Sequence, residues 1–223
     1  VPDGGIETRQ AIVKGEQTIV QAKPGGEYNG GQPSSFSNAV WDVHVNLPQQ
    51  VENASVSIAG DMIGLLRLWE AFIELDTGAG SFRIPAGQIG IGAAAGQFVP
   101  GVRLSEMTVS FEISMGRKER DALLTGEAGA GRYLLLSEPV GFAVTVSCGD
   151  QKMKSEDLQA IELALPLPEG LEPDRAINVL MLDRKGSVRL LPARRISRKG
   201  RMMAAANGAG EGIFVLACTR GER

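Results

Sequence analysis

Along most of the chain apolar and polar residues alternate with a period of two, the signature of strands that bury one face. The clearest case is AVWDVHVNLP, with Trp41, Val43, Val45 and Leu47 on one face and Asp42, His44 and Asn46 on the other. VRLSEMTVSFEIS repeats it: Met107, Val109, Phe111 and Ile113 are predicted to point inward, and Thr108, Ser110 and Glu112 outward. Three hairpins stand out. AFIELDT returns through Gly78-Ala79-Gly80 into SFRIPAGQI; EPVGFAVTVSC turns at Gly149-Asp150 into QKMKS; INVLMLD turns at Arg184-Lys185-Gly186 into SVRLLPARRI. The segment AIELALPLP (160–168) reads as a strand whose prolines place it at a sheet edge or mark its end. RMMAAANGAGEGIFVLAC gives a strand, a glycine turn and a last apolar strand. The pattern predicts roughly ten to twelve strands.

Two stretches leave this period. Between Gly60 and Trp69, Met62, Leu65, Leu66 and Trp69 fall on one helical face, with Asp61 near the positive end of the helix. GRKERDALLTG predicts a second short helix, and GIGAAAG (90–96) a small-residue connector. Short alternating stretches around Ala11–Val13 and Thr18–Gln21 precede a Gly/Ser/Pro-rich loop or linker from Lys23 to Asn38. The expected fold is mainly β: one or two β-sandwich-like units built from hairpins, with two short helices. Residues 1–38 form an N-terminal arm and linker, 39–155 a first β unit, and 156–223 a second β unit or a continuation of the first.

Composition supports this picture. Glycine, at 29 of 223 residues, is nearly twice its usual share, and 11 prolines add further turns. A net charge of −3 supplies no basic field for nucleic acid. No apolar run of about 18 residues is present, so no membrane insertion is expected. The chain opens on Val1 without the charged region and apolar stretch of a signal peptide; such a leader, if the protein has one, is expected outside this sequence.

Reactive side chains are few. His44 is the only histidine and occupies an outward strand position, with no GxSxG or reactive-cysteine context. One histidine and two cysteines do not make a zinc site, and no calcium-loop motif occurs. Glu74, Asp76, Glu106 and Glu112 lie in or beside strands and are candidates for a glycosidase carboxylate pair only in that general sense. GIGAAAG and NGAGEG lack the Lys-Ser/Thr of a phosphate-binding loop. Asp150 and Asp183 fall in hairpin turns, where aspartate serves as a turn residue. No catalytic residue, metal or cofactor is called for.

Three features keep two readings each. Trp41, Trp69, Tyr28 and Tyr133 suit sugar stacking, but Trp41 and Trp69 fall on predicted core faces. ARRISRKGR places Arg194, Arg195, Arg198, Lys199 and Arg201 in nine residues, either as a contact for an anionic wall polymer or as a solvated strand edge that discourages aggregation. Cys148 and Cys218 both end apolar runs. They pair if their strands are neighbours, closing a loop of about 70 residues for roughly 4 kcal/mol, or they act as two small buried hydrophobes. Asn53-Ala54-Ser55 matches a glycosylation sequon, which matters only in a eukaryotic secretory context.

Three segments taken in order, AFIELDTGAGSFRIPAGQI, SEPVGFAVTVSCGDQKMKS, and LALPLPEGLEPDRAINVLMLDRKGSVRLLPARRI followed by GIFVLA, resemble a known pattern. It is that of the β-rich region preceding S-layer-homology repeats in surface proteins of Gram-positive bacteria. The resemblance spans about residues 50–218. It implies an extracellular, cell-wall-associated, non-enzymatic module, structural or engaged in assembly, whose partners are other domains of the same surface protein and cell-wall polysaccharide. The alternative is a carbohydrate-binding module of a surface protein or a glycoside-active enzyme. The S-layer-homology repeats themselves are absent. The last strand also resembles the close of self-cleaving ZU5-like and GAIN-like domains; GEGIFVLA lacks their histidine and Ser/Thr nucleophile, so no self-cleavage is expected.

Overall fold

The computed structural model describes residues 21–25, 40–46, 53–98, 101–116, 119, 121–123, 133–155, 158, 161–172, 175–208 and 210–219, the first two stretches as backbone only. Fifteen strands are present among them. They are β1 (Gln21–Gly25), β2 (Val40–Asn46), β3 (Asn53–Ala59), β4 (Phe72–Thr77), β5 (Gly80–Pro85), β6 (Met107–Met115), β7 (Tyr133–Leu135), β8 (Val140–Cys148) and β9 (Gln151–Lys154). β10 (Ile161–Pro166), β11 (Asn178–Asp183), β12 (Val188–Pro192), β13 (Arg194–Arg198), β14 (Arg201–Gly208) and β15 (Gly212–Thr219) complete them. The fold is mainly β, as the alternation predicts.

The strands form two sheets. One runs β1-β2-β4-β5-β10-β14-β13, the other β12-β11-β15-β8-β6-β3, with β7 added on β15 and β9 on β8. All pairings are antiparallel except β2 with β4. The sheets pack face to face around one core that draws Val56, Phe111 and Val144 from one sheet and Ile73, Phe82 and Leu163 from the other. Phe82 of β5 stacks on Phe142 of β8 at 4.7 Å and meets Phe214 of β15 edge-on at 6.2 Å, so three aromatic rings bridge the layers.

The chain crosses between sheets repeatedly. Both sheets contain strands from before and after residue 155, and the shared core is continuous. The two segments 39–155 and 156–223 thus interleave in both sheets and contribute to one core. β1, which falls inside the expected arm and linker, pairs with β2 and belongs to the first sheet.

Local expectations hold where burial is one-sided. In β6, Met107, Val109, Phe111 and Ile113 are buried while Thr108, Ser110 and Glu112 are not. The β4–β5, β8–β9 and β11–β12 hairpins form as predicted. β11 and β15 instead read as continuous apolar runs because both of their faces are covered. Val179 and Leu216 enter the main core; Leu180 and Val215 join a second cluster under Leu123, on the outer side of the sheet. Residues 119 and 121–123 of the predicted second helix are helical.

Four expectations are corrected. The helix Gly60–Leu68 (α1) buries Gly60, Ile63 and Leu66; Leu65 and Trp69 of the predicted inner face are both 41% exposed. GIGAAAG is not a connector but part of a second helix, α2 (Ile91–Gln97), because its three alanines favour helix and Ile91 and Ala94 anchor it. β10 is central, between β5 and β14, so of its two alternatives the sheet edge fails and the strand end holds, at Pro166. SVRLLPARRI is not one hairpin arm. The chain breaks at Ala193, leaves β12 in one sheet and enters the other as β13.

Candidate functional site

The basic stretch lies on the hairpin β13–β14, whose tip is Lys199-Gly200, both with positive φ. This hairpin curls over the outer face of the first sheet. Small residues on that face permit the approach: Ala164 and Ala205 pack with Met203 against Ile196. The curl carries Arg198 across to β4 and β5. Its guanidinium pairs with the carboxylate of Glu74 and donates to Ser81 Oγ at 2.7 Å. Glu74 is 5% exposed, so this pair is largely removed from water. Lys199 pairs with Asp76, and Arg195 donates to the carbonyls of Glu172 at 2.6 Å and Arg175 at 3.2 Å. Arg198 and Lys199 thus hold the hairpin onto β4 and β5 of its own sheet, and Arg195 ties it to the segment between β10 and β11. Arg194 and Arg201 project as exposed residues.

A groove of about 510 Å³ crosses the outer face of the second sheet, where the cover over β11 and β15 ends. Polar side chains on its walls come from three strands or their turns: Asn53 and Ser55 of β3, Glu112 and Ser114 of β6, and Asp183 and Arg184 at the end of β11. Alternation places these β3 and β6 residues opposite the buried Ala54, Val56, Phe111 and Ile113. Asp183 is a turn residue, as expected: its Oδ1 accepts the N–H groups of Lys185 and Ser187, both at 2.8 Å. Burial lowers the proton affinity of the Arg184 guanidinium, and the Glu112 carboxylate partly offsets this. Arg184 remains a cation at neutral pH.

Behind the groove sits a carboxylate that the sequence did not reveal. β8 pairs with β15 only through Phe142 and then with β9 from Thr145. Between these ladders the N–H of Val144 faces no strand among the described residues. Glu211, 6% exposed, fills the gap: its Oε1 accepts that N–H at 2.9 Å, and its other oxygen pairs with Arg184. The carboxylate replaces a missing backbone carbonyl. Its position in the glycine turn NGAGEG gives no local signal for this role.

The remaining candidates separate. Cys148 and Cys218 are free. Their strands are neighbours, but the antiparallel register pairs Val140–Phe142 with Gly212–Phe214, so the cysteines sit at opposite ends, far beyond the roughly 7 Å Cα limit for a disulfide. Cys218 is buried and Cys148 half-buried. Glu106 closes a 3₁₀ turn by accepting the Arg103 N–H at 3.0 Å. The four acidic candidates do not converge: Glu74 and Asp76 bind the hairpin, Glu106 caps a turn and Glu112 lines the groove. Among the described residues no three His, Cys, Asp or Glu side chains cluster as a metal site. Tyr133 packs against the small outer cluster. Tyr28 and the side chains of Trp41 and His44 lie outside the described residues. Among the described residues no helix is long and apolar enough to cross a membrane.

The sequence matches no protein-family profile and no curated protein, and the fold matches no solved structure.

Proposed function

We propose that the chain is a non-catalytic structural or assembly module of a secreted, cell-wall-associated bacterial surface protein. The observation that carries the structural part is the interleaving of two sheets around one core, with the exposed hairpin tied down by ion pairs from its own basic stretch. Strands from distant segments cannot separate without opening the shared core, which suits a load-bearing block. The resemblance to regions preceding S-layer-homology repeats supports the location and the partners, namely neighbouring domains of the same protein. The test is surface labelling of intact producing cells with antibodies against the chain. Labelling of intact cells, lost after brief external protease, is the expected result. Labelling only after permeabilisation refutes the reading.

A second reading is carried by the groove. Its amide, hydroxyl, carboxylate and guanidinium groups suit the hydroxyl-rich surface of a wall polysaccharide, in a groove whose polar groups point outward. Sedimentation with purified cell walls, compared between the wild type and N53A/E112A, tests it: retention that drops in the variant supports the groove. Equal retention moves the contact elsewhere, with Arg194 and Arg201 the next residues to replace.

A further inference from the structure

The four sheet ends are not alike. β1 carries Lys23 and Pro24, β13 carries Arg194, Arg195 and Arg198, and β12 carries Arg189 and Pro192. Charged side chains and proline are the usual devices that stop an edge strand from pairing with another chain. β3, the fourth end, has none. Its sequence is Asn53-Ala54-Ser55-Val56-Ser57-Ile58-Ala59, uncharged and proline-free. All seven residues pair with β6 in unbroken register, so no bulge turns the strand away. Among the described residues no strand pairs with its other side.

The same seven residues are nearly symmetric about Val56. We propose that β3 is a self-association edge, which adds the β3 of a second copy in antiparallel register about a two-fold axis through Val56. In that register Val56 faces its own copy, Ala54 faces Ile58, and Ser55 faces Ser57. A small side chain lies beside a large one on the buried face, and hydroxyl lies beside hydroxyl on the outer face. No charge opposes a like charge. The sheet then continues across the seam, with Val56 rows adjoining and the hydroxyl row that includes the Ser57–Ser110 hydrogen bond (2.9 Å) extended. An interface of one strand edge falls short of the roughly 1,600 Å² of a standard stable complex. Association is therefore weak in dilute solution and strong where many copies share one surface.

This adds a second copy of the chain to the partners of the assembly reading and rests on that reading for its setting. Its test stands apart from cell labelling: a chain that dimerises need not be on the surface, and a surface chain need not dimerise. Sedimentation equilibrium up to about 1 mM, the weak end of specific association, measures the dimer. Two double variants share the same loss of Ser57 and differ only in sign at residue 55. S55K/S57K sets lysine against lysine twice across the seam; S55E/S57K sets glutamate against lysine twice. The wild type is expected to dimerise, and the dissociation constants of the two variants to differ by roughly tenfold or more, the mixed-charge form being tighter. Amide exchange in the wild type supplies a readout without substitution: β3 amides gain protection as concentration rises. A wild type that stays monomeric throughout, or two variants that associate equally, overturns the proposal.

Discussion

Removing the Glu211 carboxylate should expose how the second sheet is joined. In Glu211→Ala the N–H of Val144, on a residue with 0% exposure, loses its acceptor, at a cost of about 1–3 kcal/mol. Loss of the one buried methylene that alanine lacks adds about 0.8 kcal/mol. Arg184, whose side chain is 32% exposed, re-enters water, and loss of its partner adds little. The expected destabilisation is about 2–4 kcal/mol, or roughly 10 °C in Tm for a chain of this size. Glu211→Gln keeps an oxygen for Val144 and gives up only the charge, about 1–2 kcal/mol. Arg184→Ala is the reverse experiment. It strands the better-buried charge and should cost about 3–5 kcal/mol. Urea unfolding supplies the three values, and amide exchange locates them: Val144 loses protection in the alanine variant and keeps it in the glutamine variant. Equal losses for alanine and glutamine would refute the role of the Val144 hydrogen bond. A loss below about 0.5 kcal/mol for Glu211→Ala would refute the junction altogether.

Three further outcomes can be checked. Arg198→Ala leaves Glu74 buried, although Arg83 on the neighbouring strand gives partial relief; unfolding in urea should show a loss of about 2–4 kcal/mol, with early exchange confined to β13 and β14. Gly212→Ala drives a Cβ into the backbone carbonyl of Leu182, whereas Gly141→Ala clashes with the rotatable Ser114 hydroxyl and otherwise meets the Glu119 side chain only at ordinary contact, 3.4 Å, so thermal unfolding should rank Gly212→Ala as the more damaging by at least about 1 kcal/mol. Thiol titration of the denatured chain without reductant should count two free cysteines, and reductant should leave the Tm unchanged.

What the sequence made legible was decided by how many faces each element buries. β6 has one wet face, and its alternation identified every inward residue. α1 offers apolar side chains almost all round, at Met62, Ile63, Leu65, Leu66, Leu68 and Trp69, so two stripes fit the period equally well. Contact with the core selects the stripe through Ile63 and Leu66 and leaves Leu68 78% exposed. α2 shows the opposite limit. Its glycines suggest a connector, but its alanines and two anchoring side chains suffice once the turn is docked.

The candidate site was less legible because its residues depend on strands that arrive from far along the chain. Nothing near ARRISRKGR distinguishes a solvated edge from a clasp; the partners of Arg198 and Lys199 lie 124 and 123 positions away. Glu211 reaches Val144 across 67 positions and matters only because β8 changes partners there. Repeated crossing between sheets is therefore what converts ordinary surface residues into structural ones. It also explains why the cysteines do not meet: adjacency of strands is necessary for a bridge, but register decides it. The same logic isolates β3. Its partner β6 is distant in sequence and fully paired, its outer edge carries no guard, and its near-symmetric pattern about Val56 acquires meaning only once the topology places it last in its sheet.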